Sequence, residues 1–371
     1  MSKLDFYETL IYPVLERGNV DAEMAHHAVI WALSKIQNTG MALSLFEKIV
    51  TQGNYPFTNE RLKTRIGGLN FPNPLLLPAG YDKDAEAVTA LFGLGFGAVE
   101  VGTTLTNHQD GNPRPRVFRP QKGTILNRYG FNSKGVEVVS KNLENYSSRK
   151  GVLGVSIGIN KTRPLGEAPQ AHREVLTQVL EQADFFTINV SSPNTKDLRS
   201  LQTYEALKEI VRECHLEMIE RGIQKPIFIK LAPDLSYEMV DEIIRVVEEF
   251  QLGGLMLTNT TNKEGIKAAL GEKWRGEAGG VSGEHLRELS NKMIMHVHDI
   301  APDTAIIGMG GISDLETALQ KFFAGANGIG MLSSLVFKGP SLPSNLLSEL
   351  DNWLGIHGVD NIQEIVGKQR Q

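Results

Sequence analysis

The sequence predicts an α/β protein, a closed (β/α)8 barrel of the TIM type with an N-terminal helical extension. Three observations carry this. From Thr64 onward, eight short apolar runs alternate with eight amphipathic stretches at near-even spacing, the count of a closed parallel barrel. Most of the runs end in a cluster of polar residues or glycines, where such a barrel places its chemistry. Residues 1–54 break the alternation and read as helices alone. An open doubly wound sheet is the competing architecture, and it does not favour eight evenly spaced units.

In the extension (residues 1–54), a helix is expected over 5–16, with Phe6, Leu10 and Val14 on one side and Gly18-Asn19 ending it. Asp21 then caps a second helix over 22–37, whose Ala25, Val29, Ala32, Leu33 and Ile36 form a broad apolar face. A third apolar stretch, 42–50, precedes the break at Gly53-Asn54-Tyr55-Pro56. Short helices with faces this wide cannot bury each other completely. In the barrel (residues 55–371), strands are expected at 75–78, 98–101, 153–157, 185–190, 227–231, 254–258, 305–308 and 328–331. The intervening helices are expected at 84–92, 134–146, 168–182, 204–221, 237–250, 284–299, 314–323 and 342–354.

Composition narrows the function. The chain has 371 residues, 41% hydrophobic and 22% charged, as in ordinary globular proteins. Net charge is -5, and no lysine or arginine cluster interleaves with aromatics, so a nucleic-acid partner is not expected. The single cysteine, Cys214, excludes an internal disulfide and a multi-cysteine metal centre; a buried thiol in a helix is expected. No apolar run is long enough to span a bilayer, and the N-terminus lacks the pattern of a signal peptide. The expected compartment is the cytosol.

The strand ends carry the functional signal. The first gives Ala79-Gly80-Tyr81-Asp82-Lys83-Asp84, where glycine lets backbone approach a flat ligand and Lys83 offers a charge. The second gives Gly102-Thr103-Thr104, followed by a connection from Leu105 to Asn132 too long to be a mere linker, containing Asn127-Arg128-Tyr129-Gly130-Phe131-Asn132. The third gives Ser156-Ile157-Gly158. The fourth is the richest: Asn189-Val190-Ser191-Ser192-Pro193-Asn194-Thr195 ends a β-branched run in amides and hydroxyls, and its proline forbids further pairing. Such composition also suits a plain turn. The fifth places Lys230 inside an apolar run, which is costly unless the ammonium meets an anion. The sixth gives Thr258-Asn259-Thr260-Thr261, followed by Gly279-Gly280-Val281-Ser282-Gly283. The last two give Gly308-Met309-Gly310-Gly311 and Gly330-Met331-Leu332-Ser333, at the strands where barrels bind phosphate.

This set is poor in acid–base groups, with no histidine and no carboxylate pair at the strand ends. It is rich in groups that hold a flat heteroaromatic with a phosphate tail. FMN fits, with Lys230 beside the anionic ring of its reduced form. Ser191 or Ser192 is then the candidate base. A flavin-free phosphate-binding isomerase or aldolase would need a carboxylate or histidine partner for Lys230. An inert barrel carrying a membrane-binding segment would leave the polar strand ends unexplained.

Together the motifs Ala25-His26-His27, Ala-Gly-Tyr-Asp-Lys, Asn-Arg-Tyr-Gly-Phe, Asn-Val-Ser-Ser-Pro-Asn-Thr, Lys-Leu-Ala-Pro-Asp, Thr-Asn-Thr-Thr and Gly-Gly-Val-Ser-Gly resemble the dihydroorotate dehydrogenase family over essentially the whole chain. The helical extension, and serine where class 1 enzymes carry cysteine, resemble its class 2, quinone-dependent branch. The resemblance implies oxidation of (S)-dihydroorotate to orotate on FMN, with electrons passed to a membrane quinone between the N-terminal helices. It implies Ser192 as catalytic base, and Lys83, Asn127, Arg128, Tyr129, Gly130, Phe131, Asn189, Asn194, Asn259 and Thr260 at the substrate. It implies Ala79, Gly80, Tyr81, Asp82, Lys83, Thr103, Ser156, Asn189, Lys230, Thr258, Gly283, Gly310, Gly311, Leu332 and Ser333 at FMN. No metal is implied. A monomer is expected, held peripherally on the cytoplasmic face of the cell membrane against the lipid surface, mainly by apolar contact. Two positions depart from the family pattern. Ser156 stands where asparagine is usual, implying a shortened or water-mediated flavin contact. Leu332 stands where tyrosine is usual, leaving the phosphate to backbone donors.

Overall fold

A computed structural model describes residues 7–17, 20–53, 59–144, 146 and 150–368. The expected breaks at Gly18-Asn19 and Asn54-Tyr55-Pro56, and the start of the first expected helix, lie outside the described residues. Eight parallel strands, Leu75–Leu77, Ala98–Thr104, Val152–Ile157, Phe185–Ile188, Ile227–Leu231, Gly254–Leu257, Ile306–Met309 and Gly328–Gly330, close into a barrel in chain order. The α/β barrel with helical extension is therefore the observed architecture.

Strand periodicity explains both the core and the site above it. Successive side chains alternate between the barrel's interior and the helical shell. Leu76, Ala98, Phe185, Phe228, Met256 and Ile307 point inward and fill the bottom of the barrel. Their neighbours Leu75, Leu77, Ile227, Ile229, Leu255, Leu257 and Ile306 point outward into the strand–helix core. Each fully buried side chain of this size contributes about 1.5–3 kcal/mol. A hairpin, Thr64–Ile66 against Leu69–Phe71, plugs the bottom with Ile66 and Phe71. Two residues above Ala98, Phe185, Phe228 and Met256, the same parity places Glu100, Thr187, Lys230 and Thr258 in the upper layer, all buried.

Several expected elements are shorter or different. The helix expected over 84–92 is only Val88–Phe92, because the Asp82 carboxylate accepts the N–H groups of Glu86 and Ala87 at 2.8 Å each and diverts them from a helical ladder. The helix expected from 284 begins as a 3-10 turn, Glu284–Leu286, before Arg287–Ile300. The long connection after the second strand is not loop throughout. Val117–Gln121 and Thr124–Asn127 pair antiparallel with each other, and Gly280–Gly283 joins them in a three-stranded sheet over the barrel mouth.

The extension comprises Tyr7–Ile11, Tyr12–Arg17, Ala22–Gln37 and Gly40–Val50. Asp21 caps the longest helix by accepting the Met24 N–H at 2.8 Å. The amide of Gln37 ties that helix to the barrel, donating to the Glu86 carbonyl and accepting from the Thr89 N–H. Met24, Val29, Trp31, Met41, Leu45 and Ile49 nevertheless remain exposed. Cys214 is buried, and burial pushes its thiol up to about 12.

Candidate active site

A cavity of about 510 Å³ opens where the barrel strands end. Its floor is the upper barrel layer. Lys230 is 6% exposed; burial lowers its pKa, and the negative charge of Glu100 opposes that shift. Glu100 also accepts the Ala79 N–H at 2.7 Å. Strand parity alone would have revealed this carboxylate, two residues after inward-facing Ala98, but it sits mid-strand and carries no end-of-strand signal.

The fourth strand end divides its polar groups by role. The Asn189 side-chain amide donates to Thr103 Oγ1 at 2.7 Å. Ser191 Oγ donates to Asn189 Oδ1 at 3.1 Å and accepts from Asn259 Nδ2 at 2.9 Å. Ser191 is fully buried in this bridge between strands, away from the cavity wall, whereas Ser192 lines the cavity. Ser192 Oγ accepts the Asn194 N–H at 3.2 Å, and Asn194 Nδ2 reaches Asn127 Oδ1 at 3.4 Å. Of the two serines, Ser192 is the one in the cavity wall.

Lys83 approaches from the first strand end. Its Nζ donates to the Gly80 carbonyl at 3.0 Å and lies 3.6 Å from the centre of the Tyr129 ring. Burial brings its pKa down to about 8. The roof is the three-stranded sheet and the turn that follows it, contributing Asn127, Tyr129, Gly130 and Phe131. At the far side the cavity wall includes Gly283, Gly310, Gly311, Leu332 and Ser333, with Ser282 Oγ 2.8 Å from Ser333 Oγ. Gly311 has φ +76°, and a Cβ there would fall 2.5 Å from Arg287 Cβ, so only glycine fits the turn.

Ala79, Gly80, Tyr81, Asn189, Thr103, Asn259, Thr260 and Thr258 complete the set of expected residues in the wall. Three others stand outside it. Asp82 is buried in its own loop, its carboxylate consumed by backbone N–H groups. Ser156 is fully buried behind Thr103, holding Thr103 Oγ1 at 3.1 Å rather than facing a ligand. Arg128 turns outward, paired with Glu277 and stacked 4.7 Å from the Phe118 ring centre. Asp82 and Arg128 each neighbour a lining residue in sequence and point their side chains the other way, whereas Ser156 sits on a barrel strand behind the wall.

The cavity also has an arm away from the strand ends, lined by Ala22, His26, Val117, Arg119, Ile125, Val336, Phe337 and Lys338. It runs under the helix Ala22–Gln37. The His26 ring meets Tyr81 edge-on at 5.0 Å, and burial together with the nearby Lys83 charge lowers its pKa to about 3. It is therefore a neutral imidazole. The motif Ala25-His26-His27 had marked the position in sequence, but not that it faces the site.

The donor set suits a flavin mononucleotide. Thr258 Oγ1, Asn132 Oδ1 and Ser334 Oγ are buried without a hydrogen-bond partner, and all three residues lie in the cavity wall. Buried polar atoms of this kind call for a partner. A deep cation, a ring of amides and a glycine-lined end match a polar ring system and an anionic tail. Among the described residues, no group of three or more histidine, cysteine, aspartate or glutamate side chains gathers to hold a metal.

Comparison with known proteins is consistent with this geometry. Residues 61–354 match the family profile for dihydroorotate dehydrogenase. The dihydroorotate dehydrogenase (quinone) of Brucella melitensis is 39% identical over 311 residues, covering 82% of this chain and 84% of that protein. The protein of the same name from Trichodesmium erythraeum is 37% identical over 379 residues, 98% of this chain and 99% of its own. Among solved structures, the dihydroorotate dehydrogenase of Eimeria tenella in complex with ferulenol superposes with a TM-score of 0.84 at 33% identity, covering 99% of both chains. The match over both barrel and extension places this chain in the dihydroorotate dehydrogenase family, in its quinone-dependent class.

Proposed function

We propose that this chain oxidises (S)-dihydroorotate to orotate with bound FMN and passes the electrons to a membrane quinone, the redox step of de novo pyrimidine (UMP) biosynthesis. The observation that supports this best is one cavity joining Ser192, the amide ring and Lys230 to an arm beneath the N-terminal helices. Ala79, Gly80, Tyr81, Thr103, Asn189, Lys230, Thr258, Gly283, Gly310, Gly311, Leu332 and Ser333 would hold the cofactor. FMN, when bound, supplies the two-electron acceptor that these side chains lack.

The chain's own residues do the rest. Ser192 Oγ takes the C5 proton of dihydroorotate as its own hydroxyl proton passes on to bulk water, while Asn127, Asn189, Asn194, Asn259 and Thr260 orient the flat ring through its amide groups. Lys83 pairs with the substrate carboxylate. Tyr129, Gly130 and Phe131 cover the ring and exclude water. Lys230 stabilises negative charge accumulating on the floor.

Residues 1–54 form the quinone entrance and the membrane-associating segment in this reading. Met41, Leu45 and Ile49 recur at i, i+4 and i+8, on one side of Gly40–Val50, and Trp31 is 65% exposed on the preceding helix. Exposed apolar area of this kind suits a bilayer surface. Among the described residues no helix is long and apolar enough to cross a membrane. The reading is of a peripheral monomer on the cytoplasmic face of the cell membrane. The test is the visible spectrum of the purified protein under anaerobic conditions. Flavin absorption should bleach with dihydroorotate and return with a lipophilic quinone; a protein without flavin absorption, or one unbleached by dihydroorotate, overturns the proposal.

A further inference from the structure

Glu23 sits in the first turn of the helix Ala22–Gln37 and is 2% exposed. A carboxylate taken out of water costs several kcal/mol unless a well-placed cation answers it. The buried cation that answers it comes from the barrel. Arg116, 5% exposed, donates from Nε to both Glu23 oxygens at 3.1 and 3.0 Å and from Nη2 to Oε1 at 2.7 Å. Exposed Arg114 and His27 add weaker contacts at 3.1 and 3.4 Å.

The other edge of the Arg116 guanidinium faces the substrate-side segment. Its Nη1 donates to the carbonyls of Asp110 and Asn112 at 2.6 and 2.9 Å. The Asn112 N–H donates to the Tyr129 carbonyl at 2.9 Å, and its side-chain amide reaches the carbonyls of Arg128 and Asn194 at 3.0 and 3.2 Å. Gln109, next to Asp110, donates to the carbonyls of Gly130 and Phe131 at 3.0 and 2.9 Å. The contact is tight: at Gly111 (φ +81°) a Cβ would fall 2.3 Å from the Tyr129 carbonyl oxygen and 2.8 Å from Arg116 Nη1. Tyr129 in turn covers Lys83. A pair that served only to dock the helix would need one edge of the guanidinium. Here the second edge holds the carbonyls of Asp110 and Asn112, in the segment whose Gln109 and Asn112 in turn bond the backbone of Arg128, Tyr129, Gly130 and Phe131.

We infer that Glu23 and Arg116 are positioning residues for the substrate-facing turn 127–132, so that the helical extension sets affinity for the flat anionic substrate. This rests on the reading of the cavity given under Proposed function. A fixed guanidinium orders its carbonyl partners, and Glu23 fixes the guanidinium by a two-oxygen contact that a neutral amide cannot reproduce.

The test uses the full-length, flavin-loaded protein and its Glu23→Gln, Arg116→Lys and Arg114→Ala variants. Orotate affinity is measured by titration calorimetry, and reoxidation of the reduced protein by a water-soluble quinone is measured separately. Glu23→Gln should raise the orotate Kd roughly tenfold, the scale of residues that couple sites without touching the ligand. The same variant should leave reoxidation within about twofold, the scatter of a near-neutral surface change. Arg114→Ala, which removes an exposed cation from the same carboxylate, should leave both unchanged. Arg116→Lys keeps the charge but loses the two-edged geometry and should reproduce the orotate effect, which keeps the question open to measurement if Glu23→Gln does not fold. An unchanged orotate Kd in the folded variants, with slower reoxidation alone, would make the pair a docking contact and overturn the inference. A wild-type protein that fails to bind orotate would instead defeat the reading on which the inference rests.

Discussion

Ser192 on the cavity floor and Tyr129 in its roof both face the same space, but they are held there by different means. Ser192 lies just past a barrel strand, Phe185–Ile188, whose register is fixed by parallel pairing on both sides, Phe186 and Ile188 pairing with Val155 and Ile157 of one neighbour and with Ile227 and Ile229 of the other. Its neighbour Ser191 locks two strand ends together through Asn189 and Asn259. Tyr129 and its neighbours hang on carbonyl contacts from Gln109 and Asn112, and Arg116 holds the carbonyls of Asp110 and Asn112 beside them while a buried ion pair anchors it to a separate helix. The floor is rigid because the whole barrel must deform to move it. The roof is held by pairing within its own three-stranded sheet and by a few side chains, outside the closed register of the barrel. Pre-organised chemistry belongs on the first and substrate admission on the second.

That division sets the size of the expected effects. On the floor, Ser192→Ala should keep flavin bound and lower flavin reduction by dihydroorotate at least ~10²-fold, the usual contribution of a general base. Stopped-flow absorbance in a single anaerobic turnover measures it directly. Ser191→Ala should do less, because its hydroxyl bridges amides and does not line the cavity. If Ser191→Ala proved the more damaging of the two, the assignment of roles along this strand end would be reversed.

The extension gives the next effect. Replacing Trp31 and Leu45 by glutamate removes two exposed apolar side chains and should weaken sedimentation with lipid vesicles by roughly tenfold per residue, from about 1.5–3 kcal/mol of burial each. Turnover with a vesicle-embedded quinone should fall in parallel while bleaching by dihydroorotate persists. Equal turnover on vesicles before and after would remove the membrane from the reading and leave the faces as packing surface.

The part of the site legible in the sequence follows the same line. Lys230, Asn189, Thr258 and the glycine ends could be read because strand parity and strand termini are local properties of a few residues. Glu100 follows from the same parity but sits mid-strand, where no turn or glycine marks it. The roof was not readable: Glu23 and Arg116 lie 93 positions apart, and Gly280–Gly283 completes a sheet begun at Val117. Such contacts exist only once the barrel has brought the segments together. Asp82, Arg128 and Ser156 show the converse, residues inside or beside the right motifs whose side chains serve the backbone or a neighbour. Leu332, beside Gly80 at the cavity wall, keeps the position where tyrosine was expected from the family pattern.

Lys83 spans floor and roof, and its titration tests both. Burial lowers its pKa to about 8, so the ammonium is intact below that pH and is lost as pH rises through it. Affinity for anionic orotate in the free protein should be flat below about 8 and fall about tenfold per pH unit above it, if the ammonium alone answers the carboxylate. Bound carboxylate favours the charged lysine, so the corresponding break in the limiting rate of flavin reduction should lie at higher pH. The two profiles measured side by side check this; coincident breaks would place the substrate carboxylate away from Lys83.

Arg128 gives the smallest effect and the sharpest test of how a motif divides. It lies between Asn127 and Tyr129, both in the cavity wall, yet its guanidinium pairs with Glu277 and stacks on Phe118. Its Nε donates to the Pro115 carbonyl at 3.2 Å, so it braces the outer edge of the roof. An ion pair at the surface with both partners part-exposed contributes about 1 kcal/mol or less, and the backbone N–H of Arg128, which holds the Arg116 carbonyl at 2.8 Å, survives substitution. Arg128→Ala should therefore change orotate Kd by less than about fivefold, the equivalent of 1 kcal/mol, and leave flavin reduction at saturating dihydroorotate unchanged. A hundredfold loss would mean that the side chain swings inward over bound substrate, and the roof would then be a moving element that carries a charge into the site.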